Sequence, residues 1–466
     1  MLIKQVDQKR RIFDCGVTCL TSALNNIESN ILSLKQEYKS ELSAMLPISQ
    51  AEAIILDLVE PLDEHRDGEV VTLLTAIERI LAAPVVSQLD FPHWDNSAMD
   101  GYAVRHEDVQ HCSEDAPTVL EIVEEIAAGR SPQSTIEPGQ AARILTGAVM
   151  PTGADTVVIQ EVTQREGDRV KILAAPEPQA FVRHQASFYK AGTPLLLPGM
   201  MLQATQLAVL AAVQCNQMKV YRRPRVAIIS TGDELVKPDQ HLQLGQIVDS
   251  NQYALTALVT QTGAEPWQMG IIPDQKKALE QAISQAIASA DVVLSSGGVS
   301  VGDYDYVEPI LESLGGEIHI RAVRMKPGKP FTVAKFAASS ATNHKPVLYF
   351  GLPGNPVSAL VCFWRFVQPA LKKLSGLANS WGPVFVQARS QHDLHSDGKR
   401  ETYLWGQLHL VNGKYEFYLA GGSHSSGNLI NLAQTNGLAV LPVGQTFIPA
   451  GEQVQILKVG SPVISL

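Results

Sequence analysis

The rhythm of apolar and polar positions changes several times along the chain. From Pro47 it turns helical, with Ala51, Ile54, Ile55, Leu58 and Val59 falling on one face, so a folded body is predicted to begin there. Between 100 and 180, short apolar runs at 119–122, 143–145, 156–159 and 170–173 alternate with turn residues at Gly129, Pro138-Gly139 and Pro151-Thr152-Gly153, which predicts a small β-rich domain. Residues 205–213 read as a helix, and Tyr221-Arg222-Arg223-Pro224-Arg225 makes a basic hinge. Strand and helix signals then alternate: strands at 226–229, 267–272, 292–294 and 347–350, with helices from about Gln252, Asp274, Tyr304 and Pro356. That alternation predicts βαβ units on a mostly parallel sheet. After Gly382-Pro383, short strands return at 384–388, 403–410, 415–419, 438–441 and 453–457, as in a small barrel or sandwich.

A chain of 466 residues is long enough for several full cores. Its 37 Lys and Arg against 47 Asp and Glu leave a formal charge of −10, which gives no global basic field for nucleic acid, so a polyanion must be held locally. No run approaches the 18 apolar residues of a membrane span, and the expected setting is cytoplasmic, with no membrane partner. The cysteines, Cys15, Cys19, Cys112, Cys215 and Cys362, are odd in number and form no CxxC pair, which argues against a disulfide framework or a zinc module.

Residues 1–46 are expected to be an extension. Phe13 to Leu20, with Gln8 upstream, resemble the Gln and Cys motif that opens C39 peptidases, over about a dozen residues. Such a nucleophile needs a histidine base in its own fold, and the first histidine is His65, in the next domain. The plainer reading is an amphipathic segment whose two cysteines sit one helical turn apart, with Met45 as an alternative start.

In an open parallel sheet, ligands bind outside the carboxyl ends of the strands. Four glycine-rich segments fall at such places. They are Ser230-Thr231-Gly232-Asp233-Glu234-Leu235, the run from Ser295, Ser296, Gly297, Gly298 and Ser300 to Asp305, Lys326-Pro327-Gly328-Lys329-Pro330, and Gly351-Leu352-Pro353-Gly354-Asn355-Pro356 with Val357-Ser358-Ala359. Glycines let backbone amides approach phosphate oxygens, Lys326 and Lys329 supply positive charge, and Glu234, Asp274 and Asp305 are carboxylates of the kind that carry magnesium. One such segment alone reads as a tight turn after a strand; four on one sheet edge point to phosphate, metal and anion chemistry together.

These segments, with Asp95-Asn96-Ser97-Ala98-Met99-Asp100-Gly101-Tyr102-Ala103-Val104, Arg143-Ile144-Leu145-Thr146-Gly147-Ala148 and Pro151-Thr152-Gly153-Ala154-Asp155, resemble the MoeA family of molybdopterin molybdenumtransferases from about Leu46 to Leu466. The segments at Ser230 and Ser296 alone also fit MogA-like adenylyltransferases and CinA-like proteins; the motif from Asp95 to Val104 separates them.

The resemblance implies a multidomain α/β plus β fold. Its parts are the extension 1–46, an elongated linker domain at 47–96 and 181–222, a β-rich insertion domain at 97–180, a MogA-like molybdopterin-binding α/β domain at 223–376, and a C-terminal small β-barrel at 381–466. It implies a magnesium-dependent step in which adenylylated molybdopterin and molybdate give molybdenum cofactor and AMP, downstream of a MogA-like adenylyltransferase. It also implies a homodimer whose site is shared between subunits.

By matching motif positions, Glu234, Asp274 and Asp305 help bind the metal and the pterin phosphates, with Asp100 and Thr146 entering from the second subunit. Ser296, Gly297, Gly298 and Ser300 belong to the phosphate-side loop, Lys326 and Lys329 face molybdate or phosphate, and Pro353, Gly354, Asn355 and Pro356 shape the adjoining loop, with Ser426 adding a hydroxyl. Hydrolysis of a phosphoanhydride needs charge neutralised as AMP departs, which a metal held by carboxylates achieves.

Two departures from the family pattern stand out. Ala186-Ser187-Phe188 replaces a Gly-Glu-Asp run, removing two carboxylates, and Trp405 stands where an arginine is usual, after Arg400 and Tyr403. They motivate an alternative, a non-catalytic molybdopterin carrier or scaffold of the same family.

Overall fold

The structure, a computed structural model, describes residues 45–298, 306–339, 342 and 345–465. The Cys15 and Cys19 motif, Ser300 and Asp305 lie outside the described residues. Two compact units are resolved: one made of residues 64–221, the other of the described residues up to Asp63 together with 222–465.

The first helix, α1 (Ile48–Leu58), buries Ile48, Ala51 and Ile55, spaced by three and four residues, as the periodicity predicts. Its apolar face joins the core of the second unit, beside Val226, Val323, Met325 and Phe366. Residues 48–58 therefore pack with the α/β body rather than with the remainder of the 47–96 segment that the sequence groups with them; local periodicity shows which face is buried and not against what.

Within 64–221 a six-stranded sheet is built from β1 (Gly101–Val104), β2 (Thr118–Ile126), β3 (Gln140–Ile144), β4 (Thr156–Ile159), β5 (Thr163–Glu166) and β6 (Arg169–Ile172), in the order β4-β1-β3-β2-β6-β5. All of β1 is buried, because Tyr102 and Val104 enter one core and Ala103 enters the other. The same unit holds an antiparallel ribbon of Gly68–Thr72 with Gln217–Tyr221 and the helix α2 (Ala204–Ala212).

The other unit carries the α/β domain. Its strands and helices are β7 (Arg225–Thr231), α3 (Asn251–Gln261), β8 (Glu265–Ile272), α4 (Lys276–Ser289), β9 (Val292–Ser296), α5 (Val307–Ser313), β10 (Gly316–Ala322), β11 (Pro330–Phe336), β12 (Val347–Leu352), α6 (Pro356–Cys362) and α7 (Gln368–Leu374). The sheet order is β8-β7-β9-β12-β11-β10, parallel across the first four strands and antiparallel across the last two. The inner strands β7 and β9 are buried on both faces, which is why they read as apolar runs, whereas the edge strand β8 is only half-buried. A π-helical stretch, Phe363–Val367, joins α6 to α7.

The C-terminal strands β13 (Phe385–Ser390), β14 (Glu401–Val411), β15 (Lys414–Leu419), β16 (Gly437–Leu441) and β17 (Gln453–Lys458) pair in the ring β14-β15-β13-β17-β16-β14, a closed five-stranded barrel. Arg365 ties this barrel to the α/β body: its guanidinium bonds Glu52 of α1 at 2.8 Å and the Tyr403 hydroxyl of β14 at 3.2 Å. Met325–Lys326 adds a short parallel pairing with Glu401 and Thr402 of β14, so the lysine loop is fixed against a barrel strand.

Candidate functional site

The carboxyl ends of the parallel strands open onto a cleft of about 610 Å³. Thr231 and Glu234 come from the end of β7 and the turn after it, Asp274 from the segment after β8, Ser296 from the end of β9 and Gly297 and Gly298 from just beyond it, and Pro353, Gly354 and Asn355 from the turn between β12 and α6, which Pro356 begins. Gly297 has φ +96°, and a Cβ there would lie 2.5 Å from the Thr231 carbonyl oxygen, so only glycine lets these two strand ends approach.

The first residue of α3 organises this edge. Asn251 Nδ2 donates to Ser296 Oγ at 2.5 Å and to the Gly354 carbonyl at 2.8 Å. Asn251 Oδ1 and Thr231 Oγ1 are buried with no hydrogen-bond partner among the described residues. Sequence reasoning started this helix one residue later and assigned nothing to Asn251; the polar run Asp249-Ser250-Asn251 ahead of an apolar helix was the available signal. Asp249 Oδ1 accepts from the Gln252 amide at 3.1 Å, satisfying part of the helix start.

The cleft is acidic at one side. The Asp274 amide donates to Asp233 Oδ1 at 3.1 Å. Partial desolvation, then the charges of Asp233 and Glu234, push the Asp274 carboxyl above the usual carboxylate range. Asp274 is nonetheless exposed, so both effects act on a partly screened group.

A second pocket of about 390 Å³ adjoins the first, and the two share Pro330, Pro353 and Asn355. Its lining contains Lys326, Lys329 and Arg400 and, among the described residues, no carboxylate. Gly328, at φ +113°, sits where a Cβ would meet Met325 Cε at 2.5 Å and Cys362 Sγ at 2.8 Å, so the loop lies flat on α6 and exposes the lysines on either side. Lys326 Nζ is 3.1 Å from Asp397 Oδ2. Ser426 lines the same pocket, and its carbonyl accepts from the Val357 amide at 3.2 Å, fixing the barrel loop to the start of α6.

Trp405 of β14 also lines this pocket, with its side chain 1% exposed and Nε1 unpartnered among the described residues. Its ring lies 4.5 Å from that of His424. Arg400, which sequence reasoning named but gave no role, is thus brought to the same pocket as the two lysines; its place beside Met325 follows from strand pairing that a linear reading does not show.

In the other unit, Asp100 and Thr146 meet as one element. Asp100 Oδ1 accepts from both the Thr146 amide and the Thr146 hydroxyl, each at 2.7 Å. Those two bonds, the amide first, hold the Asp100 carboxyl below its ordinary value. The Ala186 to Phe188 departure has a visible form: Ala186 takes φ +60°, and Phe188 is 65% exposed with its ring 6.0 Å from that of Phe91.

Fold and site together define an α/β protein with a cleft at the carboxyl edge of its sheet and, beside it, a pocket lined by lysines, Arg400 and residues of the C-terminal barrel. The sequence matches the descriptions "MoeA N-terminal region (domain I and II)" over 46–213, "Probable molybdopterin binding domain" over 227–373 and "MoeA C-terminal region (domain IV)" over 387–459. It is 64% identical over 405 residues to a molybdopterin molybdenumtransferase of Nostoc sp., covering 87% of this chain and 92% of that one. It is 34% identical over 416 residues to one of Haemophilus influenzae, covering 88% and 98%. A crystal structure of the molybdopterin biosynthesis MoeA protein from Pyrococcus horikoshii superposes with a TM-score of 0.75 at 30% identity, covering 89% of this chain and all of that one. The chain belongs to the MoeA family.

Proposed function

We propose that this protein is a molybdopterin molybdenumtransferase that inserts molybdate into adenylylated molybdopterin and releases AMP. The observation that carries the reading is the pair of adjoining pockets of opposite character, carboxylates in the larger one and, among the described residues, three cations without a carboxylate in the smaller, joined at Pro330, Pro353 and Asn355. The glycine turns and the α3 N-terminus suit the pterin and adenylate phosphates. Lys326, Lys329 and Arg400 suit a tetrahedral dianion, with Ser426 beside them.

Magnesium fits the larger cleft. Desolvation first, and then the charges of Asp233 and Glu234, raise the Asp274 carboxyl, and a divalent cation would offset both. Among the described residues no group of three His, Cys, Asp or Glu side chains is placed to hold a metal. Glu234 and Asp274 would hold it together with substrate phosphates, in the manner usual for magnesium, and the resemblance adds Asp305 as a third carboxylate. A magnesium ion held by these residues would supply charge neutralisation for the departing phosphate. Asn251, Ser296 and the β9 turn orient the phosphates, Asp274 and Glu234 keep the acidic side of the cleft, and the lysine loop holds the oxyanion apart from it.

Asp100 and Thr146 act at the same site from the second subunit of a homodimer, and a MogA-like adenylyltransferase supplies the adenylylated pterin. No described helix is long and apolar enough to cross a membrane. The test is AMP release by purified protein given adenylylated molybdopterin, with and without magnesium and molybdate. Stimulation by both ions is expected. Substrate binding with no stimulation by either ion would overturn the enzyme reading in favour of the carrier.

A further inference from the structure

Three residues that line the 390 Å³ pocket each carry a buried nitrogen without a hydrogen-bond partner among the described residues: Arg400 Nε, Trp405 Nε1 and His424 Nδ1. Unpartnered buried polar atoms are costly, and three around one cavity mark a place built for a ligand that satisfies them. Two of them differ in kind. Arg400 Nε and Trp405 Nε1 are always donors. His424 Nε2 lies 2.9 Å from the Ala420 carbonyl, and a carbonyl only accepts, so Nε2 carries a hydrogen. The neutral ring therefore presents a bare lone pair at Nδ1, and only the protonated ring presents a donor there.

A tetrahedral dianion offers acceptors alone. Beside a bare Nδ1 it meets lone-pair repulsion; beside a protonated Nδ1 it gains a charge-assisted hydrogen bond. The charged and titratable groups that line the pocket with His424 are Lys326 and Lys329 from the loop before β11, and Arg400 and Tyr403 from β14 and the segment leading to it, with the Trp405 ring against His424. Behind them, Asp397 bonds Lys326 and Glu401 accepts from the Tyr403 hydroxyl at 2.6 Å. Burial pushes the Tyr403 phenol far up, which leaves His424 as the one side chain of that lining whose type changes charge near neutrality. Burial also lowers the His424 imidazole, opposed by its bond to Ala420, so the ring is neutral in the anion-free pocket.

We propose that His424 is an oxyanion-binding residue whose Nδ1 takes a proton from solvent as the tetrahedral dianion enters and donates it to an anion oxygen, so that molybdate binding is coupled to proton uptake. The inference rests on the pocket being the molybdate pocket. The balance is simple: neutral His424, molybdate dianion and one solvent proton become an imidazolium hydrogen-bonded to the dianion, and release returns the proton. Where the family resemblance has a fixed arginine charge, this chain has Trp405 and a neighbouring histidine whose charge appears only with the ligand.

The experiment is calorimetric titration of the full-length protein with sodium molybdate in two buffers of different ionisation enthalpy, across about pH 6 to 8. The wild type is expected to take up as much as about one proton per molybdate, with affinity falling by up to about tenfold per pH unit as pH rises between the anion-free and anion-bound His424 values. His424→Asn, which keeps a neutral amide near the place of Nδ1, is expected to bind molybdate with no proton uptake and a flat pH profile. His424→Gln, which keeps the reach to Ala420 and loses the group at Nδ1, is expected to lose the uptake as well. Molybdate binding by the wild type without proton uptake, or with uptake that persists in both variants, overturns the role of His424 and leaves the pocket reading intact. Absence of molybdate binding by the wild type at any pH in the range overturns both.

Discussion

Asn251 joins the β9 strand end to the β12 turn, donating from one amide to Ser296 Oγ at 2.5 Å and to the Gly354 carbonyl at 2.8 Å. The two loops that face the proposed pterin phosphates are thereby held at one spacing by a single side chain. Asn251→Ala removes both bonds at a buried site. A loss of about 1 to 3 kcal/mol is expected, as for an unsatisfied buried group, together with weaker binding of adenylylated molybdopterin. Thermal denaturation and a substrate titration check this; unchanged values in both would show that the loops hold their spacing without it.

Asp274 gives a prediction whose sign follows from linkage. Its carboxyl is raised in the folded state, so the native protein binds the proton more tightly than the unfolded chain does. The resulting destabilisation is absent below the unfolded value of an aspartate, grows as pH rises toward the folded value, and is fully present at neutral pH. Solvent reaches Asp274, which keeps the effect small. Asp274→Asn is therefore expected to raise the metal-free melting temperature slightly at pH 7 and not at acid pH. Added magnesium should raise the midpoint of the wild type and leave the variant unmoved. A variant that melts lower than wild type without metal, or responds equally to magnesium, contradicts this.

The barrel and the parallel sheet were legible because their signals are local: continuous apolar runs in β7 and β9, and short strands between turn residues in the last 85 or so residues. The strand-end loops were legible because glycine, proline and charge cluster in them. What escaped depends on long-range placement. Asn251 looks like an ordinary helix start until β9 and β12 are set beside it, and His424 sits in a Gly and Ser loop with no periodicity to mark it. The placement of α1 was missed for the same reason: its apolar face is plain in the sequence, while the buried Arg365 that pairs with its Glu52 lies 313 residues on.

Asp100 and Asp274 belong to different compact units, and the proposed homodimer draws them to one site from different subunits. Chains carrying Asp100→Ala and chains carrying Asp274→Ala should each be inactive. In a mixed dimer, one site then carries both substitutions and the other carries neither, so AMP release should return. If each site were built within one chain, both sites of the mixed dimer would be damaged and activity would stay absent. The mixed-dimer assay, with subunit exchange verified by differential tags, decides between the two.

Arg400 supplies a permanent charge to the pocket that Lys326 and Lys329 line. Hydrogen bonds to charged groups are worth about 1.5 to 3 kcal/mol. Arg400→Ala should therefore weaken molybdate binding by about tenfold to a hundredfold while pterin binding changes little. Arg400→Lys should recover only part of the loss, because the guanidinium fork matches an oxyanion in a way that an ammonium does not. Equal affinity in all three proteins would remove Arg400 from the oxyanion contacts.

The resemblance sets Trp405 where the family has an arginine, and the burial of Trp405 decides what its replacement does. The side chain is 1% exposed and its indole N–H has no partner among the described residues, so Trp405→Arg places a fourth cation in a lining that has no described carboxylate. Without ligand, that charge is desolvated and repelled, and the melting temperature should fall. With molybdate, the same charge is neutralised, and the variant should regain more stability from the anion than the wild type does. The molybdate concentration for half-maximal AMP release should then drop by about tenfold or more, since about 1.4 kcal/mol is a factor of ten. Trp405→Phe keeps an aromatic ring beside His424 but removes the N–H, worth about 0.5 to 1.5 kcal/mol, together with part of the buried ring volume, so a loss of at least about twofold in molybdate affinity and a lower melting temperature are expected. If Trp405→Arg lowers stability but leaves the molybdate dependence unchanged, Arg400 already fills the position that the family's arginine takes.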